Sequence, residues 1–174
     1  MTLLNYAQAR DWCHKAHADI GQTYGDQPYG TRHLDAVAAT AVAFGFGNDE
    51  DVMLACQAHD VLEDTANTVA DMRNAGFPER VCSIVERLSD PAGMSRAEAK
   101  KLSLPRIAAD RKAIIVKCCD RLANGISSRA NHPTKFARYC AEYPDFRKYL
   151  RSEDDVEMAP FWACLDSLFG FVSC

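Results

Sequence analysis

The stretch LACQAHDVLEDT, residues 54–65, decides how this chain is interpreted, because it sets ionisable side chains at the end of an apolar helical run. His59 is followed four residues later by Glu63, and Asp60 is followed four residues later by Asp64. On a helix these offsets place each pair on a shared face. Such a cluster costs free energy unless something pairs with it, and imidazole and carboxylate groups suit divalent transition-type cations. The alternative is an exposed acidic helix end with an isolated histidine.

Two more polar positions stand out on either side of this stretch. Asp120, in VKCCDRLANGISS at 116–128, follows an apolar run, and Asn124 comes four residues later on the same helical face. Buried aspartates are rarely unpaired, so a metal, a surface pair with Arg121 or a salt bridge to a neighbouring helix are all open. His33, in PYGTRHLDAV at 28–37, begins a helix after a glycine-rich loop. A cap or surface histidine is its alternative.

Helical periodicity dominates the chain, and we find no convincing alternating strand, internal repeat or linker. The segment 21–31 is predicted as a loop, Gly76 as a helix stop, Pro78 as a first-turn proline, and Ser95 with Glu98 as a capping box. The predicted helices cover about residues 6–18, 32–44, 50–62, 69–74, 78–89, 95–102, 112–127, 136–142, 144–151 and 157–172. The sequence therefore predicts one all-α domain over residues 1–174.

Composition is that of an ordinary globular protein, with 48% hydrophobic and 25% charged residues among 174. No run reaches the roughly 18 apolar residues of a membrane helix, and the first residues lack the features of a secretory signal. We therefore expect a cytoplasmic protein with no membrane partner. The eight cysteines include no C-x-x-C pair, which favours reduced and mostly buried thiols.

The formal net charge of −4 argues against bulk nucleic-acid binding, which usually needs a basic face. It does not exclude a small anionic substrate, because a bound cation can invert the local field.

Taken together, the order His, His-Asp, Asp resembles the HD superfamily of metal-dependent phosphohydrolases. The resemblance is closer to the Rel/Spo-type alarmone hydrolases, including their small stand-alone forms. That branch has motifs of the form PY…HP, HD…EDT and K.ADRL.N, which stand here as PYGTRHLDAV, AHDVLEDT and VKCCDRLANG. The resemblance covers about residues 8–150, and it implies a single-domain, all-α, HD-type helical bundle.

The resemblance also implies roles for individual residues. It makes His33, His59, Asp60 and Asp120 the ligands of one divalent cation, usually Mn²⁺ in this branch. Glu63 and Asp64 match the acidic pair implicated in activating or positioning the attacking water. Asn124 matches a substrate-contacting asparagine, and Ser127 stands where the family often has threonine.

The chain departs from the family pattern around the substrate. Alarmone hydrolases usually carry an Arg-Lys pair in the loop before the first histidine, where this chain has Tyr24 and Gly25, and Leu34 replaces the proline after that histidine. Tyr24 is a candidate for stacking on a purine base. Candidate phosphate contacts, with ordinary surface charge as the alternative, are Lys15, Arg32, Lys117 and Arg121.

The remaining aromatic and histidine residues receive weaker assignments. Tyr139, Tyr143 and Phe146 are candidates for lining the pocket, with burial in the hydrophobic core as the alternative. Structural or surface positions are expected for His14, His17 and His132.

Three functions remain open. The first is a 3′-pyrophosphohydrolase of guanosine tetra- and pentaphosphate, with a nucleotide as its small-molecule partner. The second is an HD phosphohydrolase acting on another nucleotide, such as an adenosine analogue, a dinucleotide or a deoxynucleotide. The third is a non-catalytic nucleotide sensor or antitoxin, against which the retained carboxylates weigh.

Overall fold

Helices account for most of the regular structure in residues 3–170, the part of the chain that the computed structural model describes. The all-α prediction is confirmed. The helices are α1 (Tyr6–Asp19), α2 (Asp35–Ala43), α3 (Glu50–Ala58), α4 (Val61–Asp64), α5 (Val69–Ala75), α6 (Glu79–Leu88), α7 (Arg96–Ala108), α8 (Arg111–Asn131), α9 (Pro133–Leu150) and α10 (Ala159–Phe169). A 3₁₀ turn, Val156–Met158, precedes α10, and residues 171 and 172 of the predicted last helix lie outside the described residues.

Helix α8 lies at the centre of the bundle and packs against α2, α3, α6, α7, α9 and α10. Its buried residues include the apolar Ala113, Ile115 and Val116, and also the charged Lys117 and Asp120. A buried charge is expensive unless it is paired. The charged middle of this central helix therefore requires partners from the segments around it.

Several helix ends lie where local chemistry predicts them. Gly76 ends α5 with φ of 105°, the left-handed conformation that favours glycine. Ser95 and Glu98 form the predicted capping box at the start of α7, where the Ser95 side chain accepts from the Glu98 N–H. Pro78 caps α6, whose first residue follows it.

The segment 21–31 is more ordered than the loop prediction allowed. Two short strands, β1 (Thr23–Tyr24) and β2 (Gln27–Pro28), pair antiparallel as a hairpin. A π-helical turn, Gly30–Leu34, then leads into α2, so the prediction that helix 2 begins at residue 32 is wrong. Single π turns of this kind are frequent at functional sites.

Three predicted helix boundaries are also wrong. The helix predicted over 50–62 breaks between α3 and α4, where Asp60 adopts φ −101° and ψ −3°. Helix α9 continues through Pro144, and α7 continues through Pro105. Both prolines are exposed, so their rings face solvent while packing of the buried face maintains each helix.

The cysteines of the described chain are free, and most of them are buried. Cys164 is exposed, Cys140 is half-buried, and Cys174 lies outside the described residues. Among the helices of the described chain, none combines the length and apolarity needed to span a membrane.

Candidate metal and phosphate site

Two imidazoles and two carboxylates from three separate segments converge beside α8. His33 comes from the π turn, His59 and Asp60 from the break between α3 and α4, and Asp120 from the middle of α8. Asp60 Oδ2 lies 2.9 Å from His59 Nε2 and 3.3 Å from His33 Nε2. Asp120 Oδ1 lies 3.4 Å from His33 Nε2 and 3.7 Å from His59 Nε2.

Local backbone structure aims these side chains inward. His59 Nδ1 lies 2.8 Å from the carbonyl oxygen of Cys56 and donates a hydrogen bond to it. The other ring nitrogen, Nε2, then has a lone pair available and faces the carboxylates. His33 is positioned by the π turn, which begins at Gly30 against α1. A Cβ at Gly30 would lie only 2.5 Å from Cγ of His14, so the close approach of these two segments requires glycine.

The donor set fits a divalent cation. Nε2 of His33 and Nε2 of His59 are both buried and lack a hydrogen-bond partner of acceptable geometry within residues 3–170. Potential ligand atoms of His33, His59 and Asp60 all lie within 4.8 Å of one another. Buried nitrogens without partners are costly, and a cation between two imidazoles and two carboxylates would satisfy them.

The electrostatics of α8 support an ionised Asp120. Burial disfavours its charged form, but Lys117 and the two imidazoles hold the pKa of Asp120 well below its usual range. Lys117 Nζ lies 3.3 Å from Asp120 Oδ2, and the surrounding carboxylates hold the pKa of this buried lysine above its usual value despite desolvation. A surface pair between Asp120 and Arg121 is therefore the wrong interpretation.

A cleft of about 380 Å³ opens over this cluster, and Glu63 and Asp64 line it together with Asp60 and Asp120. Glu63 accepts a hydrogen bond of 2.7 Å from the Asp90 N–H. Its carboxylate still reaches solvent, although desolvation in the cleft raises the pKa of Glu63. Asp64 accepts a hydrogen bond of 2.7 Å from Gln22 Nε2. The structure therefore brings both predicted acidic residues to the cleft over the cluster of two imidazoles and two carboxylates.

Asn124 and Tyr24 lie beside the cluster and are bound to each other. Asn124 Nδ2 donates to Asp120 Oδ1 at 2.5 Å, and its Oδ1 accepts from the Tyr24 hydroxyl at 2.9 Å and from Lys135 Nζ at 3.1 Å. The Tyr24 ring lies parallel to His33, with centroids 5.1 Å apart. Tyr24 is thus in contact with His33 through its ring and with Asn124 through its hydroxyl, and Lys135 Nζ lies 5.1 Å from the centroid of the same ring.

A model of the HD domain family matches residues 9–145 of this chain. The chain belongs to the HD domain family. A Drosophila melanogaster protein named guanosine-3′,5′-bis(diphosphate) 3′-pyrophosphohydrolase MESH1 is 32% identical over 87 residues, which are 49% of this chain and 48% of that protein. The match thus spans about half of the length of that relative.

The fold matches a solved structure described with the words "a metazoan ortholog of SpoT hydrolyzes ppGpp and plays a role in starvation responses". The two chains superpose with a TM-score of 0.79 at 24% identity, over 95% of this chain and 93% of the other. At this identity the likeness shows the HD-type helical fold. Membership of the HD family implies a divalent metal, in agreement with the His-His-Asp cluster.

The HD cleft is also lined by basic side chains. Four of them come from α7 and α9, namely Arg96, Lys100, Lys135 and Arg138. Sequence reasoning missed all four, and it began the helix that corresponds to α9 at Phe136, which left Lys135 outside it. With α9 beginning at Pro133, Lys135 and Tyr139 are four residues apart and share a face toward the cleft.

The predicted phosphate contacts divide into buried and exposed residues. Arg121 is buried, pairs with Glu142 at 3.1 Å and lies over the rings of Tyr139 and Phe146, so ordinary surface charge is wrong for it and for Lys117. Both line the cleft. Lys15 is an exposed residue that pairs with Asp19.

Arg32 and Ser127 lie in a pocket of about 150 Å³ on the other side of Tyr24 and His33, apart from the main cleft. Neither residue lines the cleft that holds the carboxylates. These two predicted substrate contacts therefore share a pocket with His33, but they do not line the cleft that the carboxylates of the cluster line.

The other aromatic and histidine residues are now placed. Tyr139 lines the cleft, whereas Tyr143 and Phe146 belong to the core. His14 lies 3.2 Å from Asp35, and His132 is exposed between α8 and α9. His17 is fully buried.

Tyr29 is a further residue of the site that sequence reasoning missed. Its hydroxyl donates to Asp60 Oδ2 at 2.5 Å. The signal was present in the sequence, because Tyr29 belongs to the quoted PY motif.

Proposed function

We propose that this HD protein is a metal-dependent 3′-pyrophosphohydrolase of guanosine tetra- and pentaphosphate that releases pyrophosphate. One observation carries the proposal: a single cleft is lined by carboxylates of the cation-binding cluster and also by four basic side chains from α7 and α9. A nucleotide with diphosphates at two positions presents one anionic group to each of these two features. The name of the Drosophila relative supports this substrate.

The proposed ligands of one Mn²⁺ are His33, His59, Asp60 and Asp120. Four protein ligands leave positions free for water and substrate, and other divalent ions also suit this set. The bound cation supplies charge neutralisation and lowers the pKa of a coordinated water. Asn124 and Tyr29 hold the two carboxylates of the set through their hydrogen bonds to Asp120 and Asp60.

Glu63 is the proposed general base, with Asp64 positioning the attacking water. A base is most effective when its pKa approaches the working pH, and the raised pKa of Glu63 moves it in that direction. The Asp90 N–H fixes one Glu63 oxygen and leaves the other for a proton. In the proposed reaction, water attacks the phosphorus attached to the 3′ oxygen and gives a proton to Glu63. The P–O3′ bond breaks, the 3′ oxygen leaves and takes up a proton to become the 3′-hydroxyl of the nucleotide product, and the attacked diphosphate is released as pyrophosphate.

Lys135 and Arg138 are the proposed anchors for the second phosphate group. Lys100 is paired with Asp90 at 2.7 Å, and Arg96 with Glu142 at 2.6 Å. Within residues 3–170, by contrast, Lys135 meets only an amide oxygen and aromatic rings, and Arg138 only the Tyr139 ring. Cations that have no carboxylate partner are the ones available to a substrate phosphate.

The hairpin favours the alternative, an HD phosphohydrolase of another nucleotide. Its tip, Tyr24–Gln27, carries no basic residue, whereas guanosine-alarmone hydrolases usually have the Arg-Lys pair there. The substrate's anionic groups then depend on α7 and α9, which changes the geometry of recognition.

A nucleotide panel separates these two functions. The purified protein with Mn²⁺ is given guanosine tetraphosphate, its adenosine counterpart and ordinary nucleoside and deoxynucleoside triphosphates, and products are identified by chromatography. Asp120→Asn removes a proposed ligand. Asp110→Asn, at the N-cap of α8, is its matched control. The proposal is supported if the wild type and Asp110→Asn release GDP and pyrophosphate from guanosine tetraphosphate and Asp120→Asn does not. The alternative is supported if the protein hydrolyses another nucleotide and leaves guanosine tetraphosphate intact.

A further inference from the structure

His17, near the end of α1, is fully buried and contacts two residues that bind the acidic cluster. Its Nδ1 lies 2.5 Å from Gln22 Oε1, and its ring stacks on Tyr29 with centroids 4.7 Å apart and planes at 28°. Gln22 and Tyr29 in turn bind Asp64 and Asp60. One buried imidazole thus lies behind two carboxylates of the site while touching neither.

The hydrogen bonds fix the tautomer of this histidine. The ionised Asp64 carboxylate can only accept, so the Gln22 amide nitrogen, 2.7 Å away, must donate to it. The Gln22 carbonyl oxygen therefore faces His17, and His17 Nδ1 must carry a hydrogen. Burial lowers the pKa of His17, in keeping with a neutral ring.

The second branch runs through ring packing. The Tyr29 ring contacts both His17 and His33, at centroid distances of 4.7 and 5.0 Å. The His17 ring therefore supports one face of Tyr29 while the Tyr29 hydroxyl donates to Asp60. Removing the His17 ring would leave Tyr29 free to move away from Asp60.

We propose that His17 is a positioning residue for the hydrolysis, acting through Gln22 on Asp64 and through the Tyr29 ring on Asp60. The inference rests on the proposed function, because it assigns Asp64 to the water and Asp60 to the metal. Groups that orient the first ligands typically change metal affinity or activity 10- to 100-fold when removed.

Two substitutions separate the branches. His17→Phe keeps a ring for Tyr29 and removes the donor to Gln22, so kcat should fall about tenfold or more while Mn²⁺ affinity stays within about twofold. His17→Asn keeps a nitrogen donor near the position of Nδ1 and removes the ring, so Mn²⁺ affinity should fall about tenfold. Affinity is measured by calorimetric titration of the metal-free protein, without turnover.

Two further variants sharpen the test. Gln22→Met should reproduce the kcat loss of His17→Phe, and the double variant should lose little more, because both break one chain of hydrogen bonds. Cys13→Ala, one turn earlier in α1 and equally buried, controls for simple destabilisation and should leave kcat and Mn²⁺ affinity unchanged.

The outcomes separate this inference from the proposed function. Wild-type kcat in His17→Phe together with wild-type Mn²⁺ affinity in His17→Asn overturns the inference, as does an equal effect of Cys13→Ala. If the wild type hydrolyses no nucleotide, the proposed function fails, while the Mn²⁺ affinity of His17→Asn still decides the Tyr29 branch.

Discussion

Asp120 is a proposed ligand whose carboxylate lies 3.4 and 3.7 Å from the two imidazoles and 3.3 Å from Lys117. Replacing it with Asn removes the charge and keeps the shape. We expect Asp120→Asn to lose at least 100-fold in Mn²⁺ affinity, measured by calorimetry. Asp110→Asn should keep the affinity, because Asp110 caps α8 and pairs with Arg80 away from the cleft. If Asp120→Asn kept the same Mn²⁺ affinity as Asp110→Asn and the wild type, Asp120 would be excluded as a ligand.

Glu63 tests the chemistry separately from metal binding. Glu63→Gln retains an oxygen for the Asp90 N–H but cannot accept a proton, so kcat should fall about 10²- to 10⁴-fold. Mn²⁺ affinity should remain that of the wild type. Steady-state kinetics at saturating Mn²⁺ provide the measurement, and near wild-type kcat would remove Glu63 from the mechanism.

Single residues of the site were predictable where a motif surrounds them. AHDVLEDT and DRLAN pointed to residues that do converge in space. Partnerships were not predictable, because they depend on which helices meet: Arg121 is next to Asp120 in sequence yet pairs with Glu142 from α9. Asn124 was expected to contact the substrate, but in the structure its amide is occupied by Asp120, Tyr24 and Lys135.

At the scale of elements, α9 supplies Lys135 and Arg138, the two cleft cations for which residues 3–170 provide no carboxylate partner. We expect Lys135→Met to raise KM about tenfold or more, corresponding to roughly 1.4 kcal/mol, because a charge-assisted phosphate contact is lost. Lys148→Met, on the same helix but outside the cleft, is the matched control and should leave KM unchanged. An unchanged KM in Lys135→Met would show that the second phosphate group binds elsewhere.

The contact between α1 and the π turn should be equally sensitive. In Gly30→Ala the added Cβ would meet the His14 ring, so the π turn must shift and His33 with it. We expect a loss of about 1–3 kcal/mol in the free energy of unfolding, together with weaker Mn²⁺ binding. Urea denaturation and calorimetry measure the two effects. The adjacent exposed Thr31→Ala should change neither, and a stable Gly30→Ala protein would contradict this packing account.

The elements differ from prediction where tertiary packing overrides local signals. The helical pattern across 50–62 gives no sign of the break at His59 and Asp60, which aims both side chains at one point. Pro144 suggested a helix end, but Tyr143 and Phe146 are buried in the core and α9 continues past the exposed ring. The π turn likewise follows from close packing against His14, which a single sequence does not display.

At the scale of the whole molecule, a cation bound at the proposed metal site should link segments that are far apart in sequence. The π turn, the break after α3 and the middle of α8 each contribute to it. Metal binding to the folded state adds about 2.7 kcal/mol at 100 times Kd. For a chain of this size, the expected rise in Tm is about 2–4 °C for each kcal/mol.

Differential scanning calorimetry with Mn²⁺ and after chelation measures this stabilisation. Asp120→Asn should show no shift on adding Mn²⁺. A wild-type Tm that does not respond to Mn²⁺ would contradict a metal site built from these segments.

The overall helical fold follows from hydrophobic periodicity and helix capping. The net charge of −4, by contrast, does not reveal how charged side chains are distributed in the folded chain. In the folded chain, the carboxylates of the cluster and basic side chains from α7 and α9 line the same cleft. This juxtaposition arises only when the helices pack, so no count of charges predicts it.

The most direct test of the central claim is the product formed from guanosine tetraphosphate with Mn²⁺. We predict GDP and pyrophosphate from the wild type and neither from Asp120→Asn. Intact guanosine tetraphosphate in the presence of a wild-type protein that binds Mn²⁺ would contradict the claim. In that case the cleft would retain its metal site, and its substrate would be another nucleotide.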